Sequence, residues 1–150
     1  MSLTIYAMKK ILFLSFCFIF ILGCSKDSVN NNNPYLPTYR FSSSTINLNF
    51  PSYSQLLYAG NAIEYYEVGV GISSKIFILN TGSGYLAFDA TCPNQAITSC
   101  STMELNGIKA VCPCDEVEYS LYSGQAPNQQ YPMLQYRVQI IDDTHIKVYN

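Results

Sequence analysis

The chain has no tryptophan, one histidine and few charges: 12% of its 150 residues are Asp, Glu, Lys or Arg, against 49% apolar. Each shortage removes a class of function. Net charge is −2 and there is no run of Lys and Arg, so the chain lacks the basic stripe that neutralises phosphates, and nucleic acid is not expected as a partner. A single imidazole, His145, leaves little to activate a Ser or Cys nucleophile. Residues 11–22 form an apolar run too short for a permanent membrane span. What is plentiful is Tyr, with 13 copies, and Cys, with 6. The length suits one ordinary domain.

The start of the chain reads as an export signal. Met8-Lys9-Lys10 is a short positive region, and the apolar run after it ends in Ile21-Leu22-Gly23-Cys24. A small residue just before a Cys resembles a bacterial lipobox, which makes Cys24 the lipidated first residue of the mature protein; the alternative is an ordinary signal peptide. Residues 1–23 are therefore expected to be a lipoprotein signal. Residues 24–38, rich in Asn with Pro34 and Pro37, read as the lipidated Cys and a flexible tether. Ser25-Lys26-Asp27 resembles surface-export signals of Bacteroidetes lipoproteins. The expected location is the cell envelope, lipid-anchored and at the outer membrane, with the membrane as partner. Cys17 leaves with the signal, and Cys92, Cys100, Cys112 and Cys114 remain. An even number in an exported domain favours disulfides, with three connectivities open.

From residue 39 to 150 the pattern is β. Residues 45–50 alternate polar and apolar, as a half-buried strand does. Residues 53–58 read as one helical turn or a loop. Residues 62–71 and 75–80 read as strands, the second almost continuously apolar. Gly82 and Gly84 mark a turn before the strand at 85–89, and Asn106-Gly107 is a hairpin signal between 103–105 and 108–112. Brief strands at 119–122, 134–141 and 145–149 follow. No long helix is expected, and the class is all-β.

Four cysteines fall within residues 90–124, in two loops that each open with Cys-Pro: Cys92-Pro93-Asn94 and Cys112-Pro113-Cys114-Asp115. Such paired loops clamp a metal cluster or are stapled by disulfides. The run Tyr85-Leu86-Ala87-Phe88-Asp89-Ala90-Thr91-Cys92-Pro93, the second loop Cys112-Pro113-Cys114, and the tail Glu118-Tyr119-Ser120-Leu121-Tyr122-Ser123-Gly124, followed by Pro132, Leu134 and Tyr136-Arg137-Val138, resemble a Rieske-type iron–sulfur domain over roughly the last half of the chain. The resemblance implies a Rieske-like antiparallel β-sandwich with a small cluster-binding-type subdomain of two Cys loops.

That family holds its [2Fe-2S] cluster with two thiolates and two imidazoles. The thiolate positions correspond to Cys92 and Cys112, whereas the imidazole positions carry Asn94 and Asp115, neither of which reproduces neutral imidazole. Glu116-Val117 stand where the family often has Gly-Ser. His145 lies in the final strand, outside the ligand motif. The resemblance further implies the pairings Cys92–Cys112 and Cys100–Cys114. The expected function is thus a non-redox structural or binding module of the envelope, closed by disulfides, without metal or cofactor and without catalysis. The competing reading is a ferredoxin-like electron-transfer protein whose atypical [2Fe-2S] cluster uses Cys92 and Cys112, with Asp115 or with Cys100 and Cys114. The acids Asp115, Glu116 and Glu118 read as a solvated surface or a weak Ca²⁺ site. Cys112-Pro113-Cys114 is one residue short of a redox-active Cys-x-x-Cys. The tyrosines read as sheet filling before they read as interface.

Overall fold

A computed structural model describes residues 32–150. The signal at 1–23, Cys24 and residues 25–31 of the tether lie outside the described residues. Among these residues there are nine strands and a short 3-10 turn at Ser54–Leu57, and no α-helix. The strands are β1 (Ile46–Asn47), β2 (Ala62–Tyr66), β3 (Lys75–Asn80), β4 (Tyr85–Asp89), β5 (Glu104–Asn106), β6 (Lys109–Val111), β7 (Glu118–Ser120), β8 (Gln135–Asp142) and β9 (His145–Tyr149). All pairings are antiparallel. Six strands form one sheet in the order β1-β9-β8-β4-β3-β2, and β5-β6-β7 form a second.

Strand β8 makes the sandwich. Its first residues pair with β4, Ala87 opposite Tyr136 and Phe88 opposite Gln135, while the rest pairs with β9 through a register shift between Ile140 and Asp142. One strand thus serves both halves of the large sheet. A core of Ile46, Ile146 and Val148 from one half and Ile63, Tyr65, Ile76 and Ile78 from the other fills the space between them. The open edges are tied as well. The backbone N–H and hydroxyl of Ser44, before β1, donate to the Glu67 carboxylate, just after β2, at 2.9 and 2.7 Å.

Strand β3 shows why its sequence is continuously apolar rather than alternating. Ile76 and Ile78 enter this first core, and Phe77 and Leu79 on the opposite face enter a second. A strand covered on both faces loses the period of two. The second core, with Phe88, Met103, Ala110, Tyr119, Leu121 and Met133, lies between the large sheet and the small one, and Cys92 and Cys112 belong to it.

Several expected boundaries move. The strand expected over 62–71 ends at Tyr66, because Gly69 and Gly71 turn the chain with φ of +85° and +70°. The strand expected over 45–50 shrinks to Ile46–Asn47: the Asn47 side chain accepts from Asn49 N at 2.9 Å, a local turn that ends it. The part of the expected tether that is described, residues 32–38, is packed on the domain. Leu36 is 3% exposed in the first core, Asn33 donates to Pro93 O at 2.7 Å, and the Tyr35 ring meets Tyr131 edge-on at 5.9 Å. The domain accordingly begins ahead of Tyr39. A single leucine in an asparagine-rich run carries no periodicity from which its burial is readable.

Candidate functional site

The first Cys loop leaves β4 and returns to β5; the second joins β6 to β7. Both are fixed by backbone hydrogen bonds close to the cysteines themselves. Cys92 N donates to Ser101 O and Met103 N to Ala90 O, at 2.8 and 2.7 Å. In the second loop Cys112 N donates to Val117 O and Glu116 N to Cys112 O, a turn tight enough to place Glu116 at φ +59°. The first loop also rests on Asp89, the last residue of β4. Its carboxylate accepts from Thr91 N, from Ile72 N and from the Tyr136 hydroxyl at 2.8, 2.6 and 2.7 Å. Burial nevertheless pushes the Asp89 carboxyl above its ordinary range, the hydrogen bonds offsetting only part of that cost. Burial, together with the Asp89 charge, pushes the Tyr136 phenol up as well. Gly71, at φ +70°, leaves room for this carboxylate and for Ile76: a Cβ there would stand 2.9 Å from Asp89 Oδ2 and 2.8 Å from Ile76 Cγ2.

The four cysteines are joined as Cys92–Cys112 and Cys100–Cys114, with Cα–Cα separations of 5.6 and 5.2 Å. The two bonds sit at different depths. Cys92 and Cys112 are 1% and 0% exposed, Cys114 is half-buried and Cys100 faces solvent. The sulfurs of Cys92, Cys112 and Cys114 all lie within 4.8 Å of one another, so the bonds are adjacent. A curled six-stranded sheet carrying a three-stranded subdomain, whose two Cys loops meet at its tip, is the arrangement expected from the sequence. Paired Cys loops on a small antiparallel subdomain are what the resemblance to a Rieske-type domain implies.

No family model and no curated protein matches the chain. Among solved structures it is similar to a ferredoxin of Sphingomonas yanoikuyae, at 17% identity and a TM-score of 0.43, over 64% of this chain and 93% of that one. It is similar at the same identity and TM-score to the ferredoxin of carbazole 1,9a-dioxygenase from Nocardioides aromaticivorans, over 71% and 97%. A putative NADH-dependent nitrite reductase small subunit from Mycobacterium tuberculosis aligns at 13% identity and a TM-score of 0.44, over 75% and 97%. Overlap this loose says nothing about what the chain binds; that has to come from the loops.

As arranged, the donor set does not fit a two-thiolate, two-imidazole cluster. The sulfurs of Cys92 and Cys112 are bonded to each other. Asn94 is engaged through both ends of its amide: its Nδ2 donates to Tyr131 O at 2.7 Å and to the Tyr119 hydroxyl at 3.0 Å, and its Oδ1 accepts from Tyr131 N at 2.8 Å. One amide thus pairs with both the N–H and the C=O of Tyr131 and pins the first loop to the segment before Pro132. A histidine cannot make that reciprocal pair through one ring edge. Asp115 closes its own turn by accepting from Val117 N at 3.1 Å.

The remaining candidates disperse. His145 stands at the β8–β9 turn with Nδ1 2.9 Å from the Asp142 carboxylate, in the sheet rather than at the Cys loops. Glu118 pairs with Lys109 across β6 and β7. Among the described residues only Cys92, Cys112 and Cys114 are gathered closely enough to hold an ion, and the expected acidic Ca²⁺ alternative finds no such gathering. Three contributors escape the sequence: Asp89, Tyr131, and the Thr98–Ser101 pair beside the outer sulfurs. Asp89 carries the one readable signal, an acid ending an apolar strand directly before a Cys-Pro loop.

Proposed function

We propose that this chain is a lipoprotein of the bacterial cell envelope, anchored through Cys24, whose Rieske-like domain has given up its cluster and serves as a structural or binding module rather than an iron–sulfur electron carrier. The single observation that supports this most is the pairing of Cys92 with Cys112 while both ends of the Asn94 amide are bonded to Tyr131 and its Nδ2 also to Tyr119. Two sulfurs that would each donate to iron are joined, and the neighbouring ligand position holds the fold together. Thr144 Oγ1 and the Asp142 carboxylate share the one nitrogen His145 Nδ1, at 3.0 and 2.9 Å, in a turn away from the Cys loops, and no catalytic role is assigned to that contact. The exposed partner-facing parts of such a module are its loop tips.

The full-length chain, produced in a bacterium that processes lipoproteins and extracted from its membranes, tests this. The expected preparation carries acyl chains on Cys24 by mass, no iron, and no titratable thiol before reduction. Two irons per chain with visible charge-transfer bands would overturn the cluster-free reading in favour of an atypical [2Fe-2S] electron carrier. An unacylated protein cleaved at a different residue would overturn the anchor alone.

A further inference from the structure

The two disulfides differ in access and are in contact. An external thiol reaches Cys100, which is exposed, but not Cys92 or Cys112, which are closed off by the second core. Cys114 connects the two regions: it is bonded to Cys100, and its sulfur lies within 4.8 Å of both sulfurs of the buried bond. Hydroxyl groups surround the outer pair. Thr98 Oγ1 is 3.2 Å from Cys100 Sγ and 3.8 Å from Cys114 Sγ, and Ser101 Oγ is 4.0 Å from Cys114 Sγ. A hydroxyl at these distances donates to a sulfur that becomes a thiolate and favours that form.

We propose that the outer disulfide is a thiol–disulfide exchange site through which an external dithiol reduces the buried Cys92–Cys112 bond. The steps balance as two electrons and two protons. One thiolate of the dithiol attacks Cys100 Sγ, forming a mixed disulfide and expelling Cys114 as thiolate. Cys114 attacks Cys92 Sγ, forming Cys92–Cys114 and releasing Cys112, which takes a proton; attack on Cys112 instead would close a bond spanning only Pro113. The second thiolate of the dithiol attacks its own mixed-disulfide sulfur and leaves as a cyclic or intramolecular disulfide, freeing Cys100. Cys100 then attacks Cys114 Sγ and releases Cys92, which takes the second proton. The dithiol ends oxidised, the inner pair reduced and the outer disulfide restored. The backbone hydrogen bonds of both loops and the Asn94 staple involve no sulfur atom, so breaking a sulfur–sulfur bond removes none of the contacts that hold the loops together. This site goes beyond the scaffold role and leaves it standing: no cluster is involved.

The full chain carrying Cys100→Ser tests the internal step without any reductant, since Cys114 is then born without its partner. The expected result is a substantial fraction of Cys92–Cys114 with Cys112 free, found by peptide mapping under non-reducing conditions. Cys92–Cys112 intact in every molecule, with Cys114 free, would overturn the exchange. The wild-type protein supplies a second reading that does not depend on the variant folding. During dithiothreitol treatment, timed alkylation is expected to label Cys92 and Cys112 while Cys100 and Cys114 stay largely bonded. Labelling of the inner pair slows on the order of tenfold in Cys100→Ser/Cys114→Ser, because direct attack on a buried sulfur requires opening of the core. Equal inner-pair rates with and without the outer pair would overturn the route.

Discussion

At the scale of single residues, Asn94 and Asp89 hold the two ends of the first Cys loop, and they differ in how. Asn94 is neutral, with three hydrogen bonds between part-buried groups. Asn94→Ala leaves the Tyr131 peptide and the Tyr119 hydroxyl without partners, for a loss of about 1–3 kcal/mol in denaturant unfolding. Asn94→Asp keeps the acceptor for Tyr131 N but places a carboxylate against Tyr131 O, and ranks with alanine rather than between it and wild type. Asp89 is ionisable, buried and held above its ordinary titration range by that burial. An acid with a raised folded pKa binds its proton more tightly in the native state. Its contribution therefore favours folding fully below the unfolded value near ~3.9 and declines as pH rises through the folded value. Unfolding free energies of wild type and Asp89→Asn, compared from about pH 3 to about pH 7, should show the wild-type advantage shrinking as pH rises. An advantage that grows with pH would mean that the three donors, not burial, set the balance.

At the scale of elements, one acid links the two sheets by hydrogen bonds beside the core they share. Glu64 of β2 takes the Lys75 ammonium of β3 at 2.8 Å and the Leu105 N–H of β5 at 3.2 Å. Lys75 is itself buried, its ammonium 5.6 and 5.4 Å from the Tyr66 and Phe77 rings. Burial pushes the Glu64 carboxyl up, but the bonds from Lys75, Tyr66 and Leu105 outweigh it and the net position is below the ordinary range. Lys75→Met leaves that carboxylate without its cation. Because Glu64 is partly solvated, the loss is about 1–3 kcal/mol rather than the larger figure for a fully buried pair. Amide exchange in β5 should rise with it, and unchanged β5 protection would remove Glu64 from the join. The strands themselves were largely legible. Lys75–Asn80, Tyr85–Asp89 and His145–Tyr149 fall where their apolar content and the Gly82–Gly84 turn put them, and Asn106-Gly107 closes the β5–β6 hairpin. What was not legible depends on distant partners: Leu36 is buried by strands that lie far from it in sequence. The cysteine pairs were readable from the resemblance. Asn94 as a staple was not, because Tyr131 is brought to it only by the fold.

At the scale of the molecule, the chain has two cores with different dependence on sulfur. The first contains no cysteine and is closed by β8 and by the Ser44–Glu67 contact. The second includes Cys92 and Cys112 and carries the short strands β5 to β7, none longer than three residues. Three short strands over a shared core are marginal alone, and each cross-link contributes ~2–4 kcal/mol by restricting the unfolded chain. Full reduction followed by alkylation, which puts a bulky group on two sulfurs that are 1% and 0% exposed, should therefore open the subdomain and spare the sheet. Hydrogen exchange on the oxidised and the reduced, alkylated chain checks this: amides of residues 90–122 lose protection, while Ile76, Ile78, Ile146 and Val148 retain most of theirs. Uniform loss across both regions would show that the two cores unfold as one unit, with the disulfides supporting the whole molecule. Retention everywhere would make them dispensable. The division matters for the role of the domain, because a sheet that stands without its sulfur leaves the loop tip free to change its bonding without releasing the chain from its fold.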